Sequence, residues 1–332
     1  MKIAIVILNW NGQQLLEKFL PSIVTYSALE NVSIYVADNA STDNSMVFIK
    51  ENFATVKLIR NKSNGGYAKG YNDALQHIKA DIFALVNSDI EVTQNWLTPI
   101  ITTFKNEPKT AIIQPKILDY KNKSMFEYAG AAGGFIDKYG YPYCRGRIFS
   151  EIEKDDEQYN DSTNIFWASG ACFFIRSKVF FNLKGFDEDY FAHQEEIDLC
   201  WRAKNLQHSI KYVGASTVFH VGGATLKEES PKKTFLNFRN SLFSLVKNVP
   251  SSKLLPIIFT RLVLDGIAGV KFLFEFRPIH IFAILSAHFS FYYNLPKTLK
   301  KRNTSKQSKQ YFKTKSIVWK YFVQGKKTYK QL

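Results

Sequence analysis

Short apolar runs alternate with polar-faced stretches through the first 90 residues of the chain. The runs are rich in β-branched residues, each ends at a polar cluster, and they cover residues 3–8, 32–37, 56–59 and 82–86. The stretches between them, residues 13–27, 45–52 and 67–79, have helix-like patterns. Strands that alternate with helices predict βαβ units and a parallel sheet covered on both faces. The sequence therefore predicts an α/β fold, with a mostly parallel sheet flanked by helices.

Polar residues gather where the predicted strands end. Ligands of parallel α/β sheets bind outside the carboxyl ends of the strands, which here means residues 9–12, 38–44, 61–66 and 87–91. The candidates for binding in these segments are Asn9, Asn11, Asp38, Asn39, Asp43, Asn64, Gly65, Gly66, Asn87, Ser88 and Asp89. Any one cluster also has the composition of an ordinary turn or helix cap. Three clusters on successive strand ends predict one shared site.

The glycine pair Gly65-Gly66 precedes a predicted helix. Two glycines let the backbone approach a ligand closely, and a helix N-terminus attracts a phosphate. The spacing matches neither the dinucleotide-binding pattern GxGxxG nor a P-loop, so those two nucleotide signatures are excluded.

Charge divides the 332-residue chain, whose formal net charge is +15, into two parts. Residues 1–231 carry 24 basic and 27 acidic side chains, whereas residues 232–332 carry 20 basic and 2 acidic ones. A basic region that follows apolar segments favours an anionic membrane surface as partner over nucleic acid. The longest segment without charged residues, 278–296, is borderline in length for a membrane span. The pattern leaves open whether 254–295 spans the bilayer, re-enters it or lies on it.

Cysteine usage and the N-terminus bear on the compartment. The three cysteines, Cys144, Cys172 and Cys200, lack the spacing of a zinc site or of a secreted disulfide framework. The apolar run at residues 3–8 is too short for a signal peptide. We therefore expect a protein at the cytoplasmic face of the plasma membrane, peripheral or monotopic.

Four motifs together resemble glycosyltransferase family 2, in particular its rhamnosyltransferase-like members. They are VILNWNG at 6–12, VADNASTDNS at 36–45, NGGYAKGYN at 64–72 and LVNSDIEV at 85–92. The resemblance implies a GT-A fold over residues 1–230, with the nucleotide-sugar half at about 1–115 and the acceptor half at about 116–230. Residues 231–332 are then expected to form a helical, basic, membrane-associating region.

The same resemblance implies roles for particular side chains. Asp38 would hold the base of the nucleotide, and Asn87 would contact the ribose or diphosphate. Asp89, in the place of the DXD motif, and His220, in VFHVGGAT, would bind a divalent cation, magnesium or manganese. Asn87 departs from the family pattern because it stands where the motif has its first carboxylate.

The segment 185–202 is the most acidic in the chain and turns helical near Glu195. Asp198 and Arg202 are spaced for an ion pair within a helix. Glu195 and Glu196 fall in the first turn, where the helix dipole favours ionised carboxylates that accept protons. The resemblance makes Glu196 the general base and leaves Glu195 as its rival. It also places the small residues of WASGACFFIR, at 167–176, beneath the donor sugar.

The sequence thus predicts an inverting, metal-dependent glycosyltransferase. Its donor is a nucleotide diphosphate sugar, with rhamnose the first sugar to test, and its acceptor a cell-envelope saccharide or lipid-linked molecule. Two alternatives remain: an inactive nucleotide-sugar-binding scaffold at the membrane, and a sugar-phosphate nucleotidyltransferase. Nucleic acid is not expected as a partner, because the α/β part is net acidic.

Overall fold

The first half of the main sheet is parallel, as predicted. The computed structural model describes residues 1–222, 230–303, 307–308 and 310–332. Its first strands are β1 (Ile3–Asn9), β2 (Val32–Asp38), β3 (Lys57–Arg60) and β4 (Ile82–Asn87). Helices α1 (Gln13–Tyr26), α2 (Ser45–Asn52) and α3 (Gly66–Leu75) connect successive strands. The strands lie in the order β4-β1-β2-β3. The four predicted strands and three predicted helices are confirmed, although α3 ends four residues early.

The rest of the sheet is mixed, so the prediction of a mostly parallel sheet is wrong. The other strands of this sheet are β5 (Ile90–Val92), β6 (Thr110–Asp119), β11 (Ser162–Asn164), β12 (Cys172–Arg176) and β13 (Ser209–His220), and helix α4 (Leu97–Asn106) lies between β5 and β6 in the chain. Strand β12 runs antiparallel to both β4 and β6, and β13 pairs parallel with β6 but antiparallel with β11 and β5. A buried strand reads as the same apolar run in either direction, so its composition does not give its orientation.

Residues between β6 and β11 form a second, four-stranded antiparallel sheet. Its strands are β7 (Gly134–Ile136), β8 (Pro142–Cys144), β9 (Arg147–Ile148) and β10 (Glu151–Ile152). The main sheet has an apolar cluster on each face, because alternate residues of each strand point to opposite sides. In β1, for example, Val6 faces one cluster while Ile5 and Ile7 face the other.

The second half of the chain is mainly helical. It contains α5 (Ser177–Asn182), a short 3-10 helix (Glu188–Tyr190), α6 (Glu195–Asn205), α7 (Pro231–Asn248), α8 (Ser251–Phe274), α9 (Ile279–Lys300) and α10 (Ile317–Phe322). Helix α7 contributes Leu242 and Leu245 to the same apolar cluster as Val6 of the sheet. The domain boundary after residue 230 stays a prediction, and residues 223–229 just before it lie outside the described part of the chain.

The helices of the C-terminal region are relevant to the question of a membrane span. Across the described residues, none of the helices combines the length and the apolarity that crossing a bilayer would require. This holds for α9, which contains most of the uncharged segment 278–296.

A buried network of charges joins α7 to the acidic segment before and within α6. Lys247 of α7 places its Nζ 2.7 Å from Oδ2 of Asp187 and 2.8 Å from Oδ2 of Asp198. Arg202 forms the predicted pair with Asp198, with Nε 2.7 Å from Oδ2. Burial raises the pKa of Asp187, but the ammonium groups of Lys247 and Lys301 outweigh it and hold the pKa below its ordinary value. The acidic segment is therefore anchored by cations from the C-terminal helices.

Candidate active site

Strand register brings the ends of β1, β2 and β4 side by side. Asn9 lies opposite Asp38, and Leu8 lies opposite Asn87. The Asn9 amide donates to Oδ1 of Asp38 at 3.3 Å, and the Ser41 backbone N–H donates to Oδ2 of Asp38 at 3.1 Å. Asp38 is fully buried. It therefore stabilises the loop that follows β2. A nucleotide base that contacted Asp38 would have to reach into this loop.

Asn11 and Asp43 hold the first two loops together. Oδ1 of Asn11 accepts from the backbone N–H of Thr42 at 2.7 Å. The two carboxylate oxygens of Asp43 accept from Gln13 N–H at 3.0 Å and Ser45 N–H at 3.1 Å, at the starts of α1 and α2. Burial raises the pKa of Asp43, but the hydrogen bonds from Ser45 and Gln13 bring it below its ordinary value. These hydrogen bonds account for Asn at position 11 and Asp at position 43, whether or not a ligand is bound.

Asn39 connects the loop after β2 to the start of α3. Its amide donates to Oδ1 of Asn64 at 3.3 Å and to the carbonyl oxygen of Gly66 at 3.1 Å. Gly66 has a φ of +80°, and a Cβ there would lie 2.5 Å from the carbonyl oxygen of Phe191. With Gly65 in the cap position of α3, the glycine pair lets the loop at Phe191 close over this helix end. Gly66 thus allows a close approach of the protein's own backbone, and the predicted approach of the glycine pair to a ligand stays a prediction.

Asp89 and His220 meet at the end of β4, because β5 pairs with the end of β13. The Asp89 Oδ1 lies 3.2 Å from Nε2 of His220. On the other side of the ring, Nδ1 of His220 lies 3.2 Å from Oε1 of Glu127. Burial lowers the pKa of His220, but the carboxylates of Glu127 and Asp89 outweigh it and raise that pKa to about 10. All three side chains are almost fully buried.

Sequence reasoning missed Glu127. The segment around it follows β6 with neither helical nor strand periodicity, and no neighbouring charge marks it as functional. Its second oxygen accepts from the backbone N–H of Ala129 at 2.6 Å. Gly223, the second glycine after His220, lies outside the described residues.

The side chains of Asp89 and His220 suit a divalent cation whose remaining coordination positions are filled by other ligands. Two donors 3.2 Å apart fit adjacent positions around a cation bound at about 2.1 Å from each. Glu127 behind His220 is the kind of carboxylate that orients a metal-binding imidazole. Considering the described part of the chain alone, no three His, Cys, Asp or Glu side chains form a group that could hold a metal. Diphosphate oxygens of the donor and water are suitable further ligands.

Glu195 and Glu196 open α6 directly after a strained loop. Phe191, His193 and Gln194 have φ values of 63°, 67° and 72°. Glu195 is buried, while Glu196 is partly accessible. Within the described chain, one carboxylate oxygen of each has no hydrogen-bond partner. Burial raises the pKa of both carboxyl groups above the ordinary value, and the charge of Glu196 raises that of Glu195 further.

Gly170 links this helix end to the strand ends. The Ala171 carbonyl accepts from Asn87 N–H at 2.9 Å, so Gly170, one residue earlier in the chain, lies near the end of β4. A Cβ on Gly170 would lie 3.8 Å from the carboxyl carbon of Glu196 and 3.2 Å from the Tyr67 hydroxyl. Gly170 thus leaves room for the Glu196 carboxylate near the end of β4. The position of the small residues beneath a donor sugar stays a prediction.

Asn240 is a second residue that sequence reasoning missed. It is fully buried on α7, and its amide lies 3.0, 3.0 and 2.8 Å from the carbonyl oxygens of Tyr190, Ala192 and His193. It therefore holds the strained loop that leads to Glu195 and Glu196. An asparagine inside a basic helix carries no such signal in the sequence.

We expect Asn240→Ala to lower kcat on the order of 10²-fold, because small displacements of a reacting group cost about that much. The KM for the donor should change little. Steady-state kinetics would check this against Asn52→Ala, which removes an exposed asparagine bonded only to its own helix. Equal kcat values for the two variants would contradict a positioning role for Asn240.

Comparison with known proteins shows the family. The model of glycosyl transferase family 2 matches residues 4–183, which is more than half of the chain. The chain belongs to glycosyl transferase family 2. This confirms the predicted family and the predicted enzyme class, a glycosyltransferase of the hexosyltransferase type.

Relatives of this family member include two rhamnosyltransferases. The N-acetylglucosaminyl-diphospho-decaprenol L-rhamnosyltransferase of Mycobacterium tuberculosis is 24% identical over 62% of this chain and 71% of its own. Rhamnosyltransferase WbbL of Escherichia coli is 24% identical over 65% of this chain and 82% of its own. Among solved structures, the mannosyltransferase PcManGT of Pyrobaculum calidifontis, in complex with GDP-Man and Mn²⁺, has a TM-score of 0.54 at 12% identity, covering 88% of this chain and 87% of that one. The last likeness supports a GT-A-like fold.

Proposed function

We propose that the protein is an inverting, metal-dependent glycosyltransferase that moves a sugar from a nucleotide diphosphate donor to a cell-envelope saccharide or lipid-linked acceptor. One observation carries the proposal. The carboxylate of Glu196 packs beside Gly170, and the neighbouring Ala171 is hydrogen-bonded to Asn87 at the end of β4. This supports a base and a cation-binding pair, Asp89 and His220, near the same strand ends.

The reaction follows from the charges at these strand ends. An acceptor hydroxyl attacks the anomeric carbon from the side opposite the nucleotide, the bond to the diphosphate oxygen breaks, and Glu196 takes the proton of the hydroxyl. One displacement inverts the configuration and needs no protein nucleophile. Asp89 and His220 would hold magnesium or manganese, which stabilises the negative charge left on the diphosphate. The raised pKa of Glu196 suits a group that must accept a proton near neutral pH.

The donor site would lie along the ends of β1 and β2, from Asn9 to Asp43 and on to Gly66. The names of the relatives make rhamnose the first sugar to test and a lipid-linked diphosphate saccharide the first acceptor. The family resemblance makes deoxythymidine diphosphate the first nucleotide carrier to try. An acceptor of that kind would place the enzyme on an anionic membrane surface, at the cytoplasmic face.

A donor screen tests the proposal. Purified protein with Mn²⁺, a lipid-linked acceptor and several nucleotide sugars should release nucleoside diphosphate from one of them. Nucleotide binding without turnover across the panel would favour the inactive scaffold, and release of pyrophosphate from a nucleoside triphosphate would favour a nucleotidyltransferase.

Metal dependence has its own expected result. Asp89→Ala should raise the Mn²⁺ concentration needed for half-maximal activity by about 10- to 100-fold, since a cation ligand is lost. His220→Ala should act in the same direction. Asp156→Ala, which removes an exposed carboxylate of a surface ion pair, serves as the control. Titration of activity with Mn²⁺ would contradict the assignment if all three variants followed the wild-type curve.

A further inference from the structure

Helices α8 and α9 expose large apolar side chains along one continuous side of each helix. On α8 they recur every three or four residues and include Phe259, Val263 and Ile267; on α9 they include Phe282, Phe289 and Tyr293. Phe259, Phe282 and Phe289 are 71%, 67% and 73% exposed. We call these exposed residues of 255–293 the α8–α9 apolar face.

The opposite sides of the two helices are already packed. Ile257, Arg261 and Asp265, four residues apart, are buried on α8, and Ala287 and Phe291 are buried on α9. The apolar face is therefore the side left over, and nothing in the described chain covers it. Soluble proteins seldom leave so large an apolar surface exposed unless it binds something.

The charges around this face indicate what it binds. Lys253 precedes it, Arg277 lies at the turn between the helices, and Lys300 follows it. Lys271 and Lys297 lie nearby, but they are paired with Glu275 and, at 2.6 Å, with Asp189. The two acidic residues of 232–332 are both in ion pairs. Asp265 pairs with Arg261 at 2.7 Å, and Glu275 pairs with Lys271. A second copy of the chain would bring the same positive charges together. An anionic surface complements them.

We propose that the α8–α9 apolar face lies flat in the surface of an anionic bilayer, with its side chains among the acyl chains and Lys253 and Lys300 at the lipid phosphates. This chooses one of the three arrangements that the sequence left open. Helix α9 packs on α7, and α7 holds the loop before Glu196, so the bilayer and the active site would keep a fixed relation. The consequence for a lipid-linked acceptor rests on the proposed function; the membrane contact itself does not.

Vesicle sedimentation tests the proposal without any turnover, so it succeeds or fails independently of the transferase reaction. The full chain is mixed with vesicles of phosphatidylcholine alone, or of phosphatidylcholine with phosphatidylglycerol. We compare the wild type with Phe259→Glu/Phe289→Glu and with Val47→Glu, which places a charge at an exposed site on α2. Circular dichroism shows whether the variants keep the wild-type fold.

We expect the wild type and Val47→Glu to bind the phosphatidylglycerol vesicles, and the double variant to bind at least about tenfold less. Binding of phosphatidylcholine alone should be weak. The proposal is overturned if the wild type binds neither vesicle, or if the double variant binds like the wild type. It is also overturned if light scattering shows that the substitutions only break a dimer while vesicle binding is unchanged.

Discussion

Glu196→Gln should lower kcat by about 10²- to 10⁴-fold and leave the donor KM nearly unchanged, because the amide fills the same space but cannot take the proton of the acceptor hydroxyl. Glu196 sits beside Gly170 with one carboxylate oxygen free of partners within the described chain, so the substitution breaks few bonds of the fold. The measurement is steady-state release of nucleoside diphosphate at saturating donor and Mn²⁺.

Two further variants make this result specific. Glu188→Gln changes an exposed carboxylate on the same acidic segment and should retain activity. Glu195→Gln tests the rival base. If Glu195→Gln abolishes turnover while Glu196→Gln remains active, the assignment of the base to Glu196 is wrong.

The pH profile gives an independent check on Glu196. The base must be ionised, so activity falls as pH drops through its pKa. Because burial raises that pKa, the wild-type rate should fall at a pH clearly above the ordinary value of a glutamic acid, about 4.3. The residual rate of Glu196→Gln should lack this acid limb.

The second large effect concerns stability. Lys247→Met should lower the free energy of unfolding by up to about 3–5 kcal/mol, because Asp187 and Asp198 lose the buried cation that they share and are left with Lys301 and Arg202, respectively. Methionine keeps most of the apolar stem, so the loss comes mainly from the charge. Urea unfolding followed by circular dichroism measures it.

The matched control is Lys300→Met, on the exposed side of α9, which should change the free energy of unfolding by less than about 1 kcal/mol. Similar losses for both variants would contradict a special role for the buried network.

The same pair predicts how stability depends on pH. The pKa values of Asp187 and Asp198 are lowered in the folded protein, with burial opposing and Lys247 among the groups causing the shift. Their contribution is therefore present above the unfolded pKa of about 3.9 and is lost as pH falls through the folded values. The difference between wild type and Lys247→Met should shrink over that acidic range.

The sequence by itself determined the first half of the fold and the strand ends at which a site is expected. Alternating apolar runs and helix-like stretches mark β1 to β4 and α1 to α3, because each element must bury one side or both. The site's location follows as well, since parallel strands present their carboxyl ends at one edge. For that reason Asn9, Asp38 and Asn87, distant in the chain, were expected to be neighbours, and the strand register makes them so.

Only the tertiary structure decided which way β12 and β13 run and which distant side chains complete the candidate site. The composition of an apolar run does not indicate the direction of its strand. It therefore does not reveal that β12 lies antiparallel to β4 and brings Gly170 beside Glu196. Glu127 and Asn240 likewise gain their partners through packing across long separations, which no local pattern encodes. Helix and strand periodicity depends on residues close together in the sequence. The contacts of a buried polar group depend instead on how distant parts of the chain pack in the folded protein.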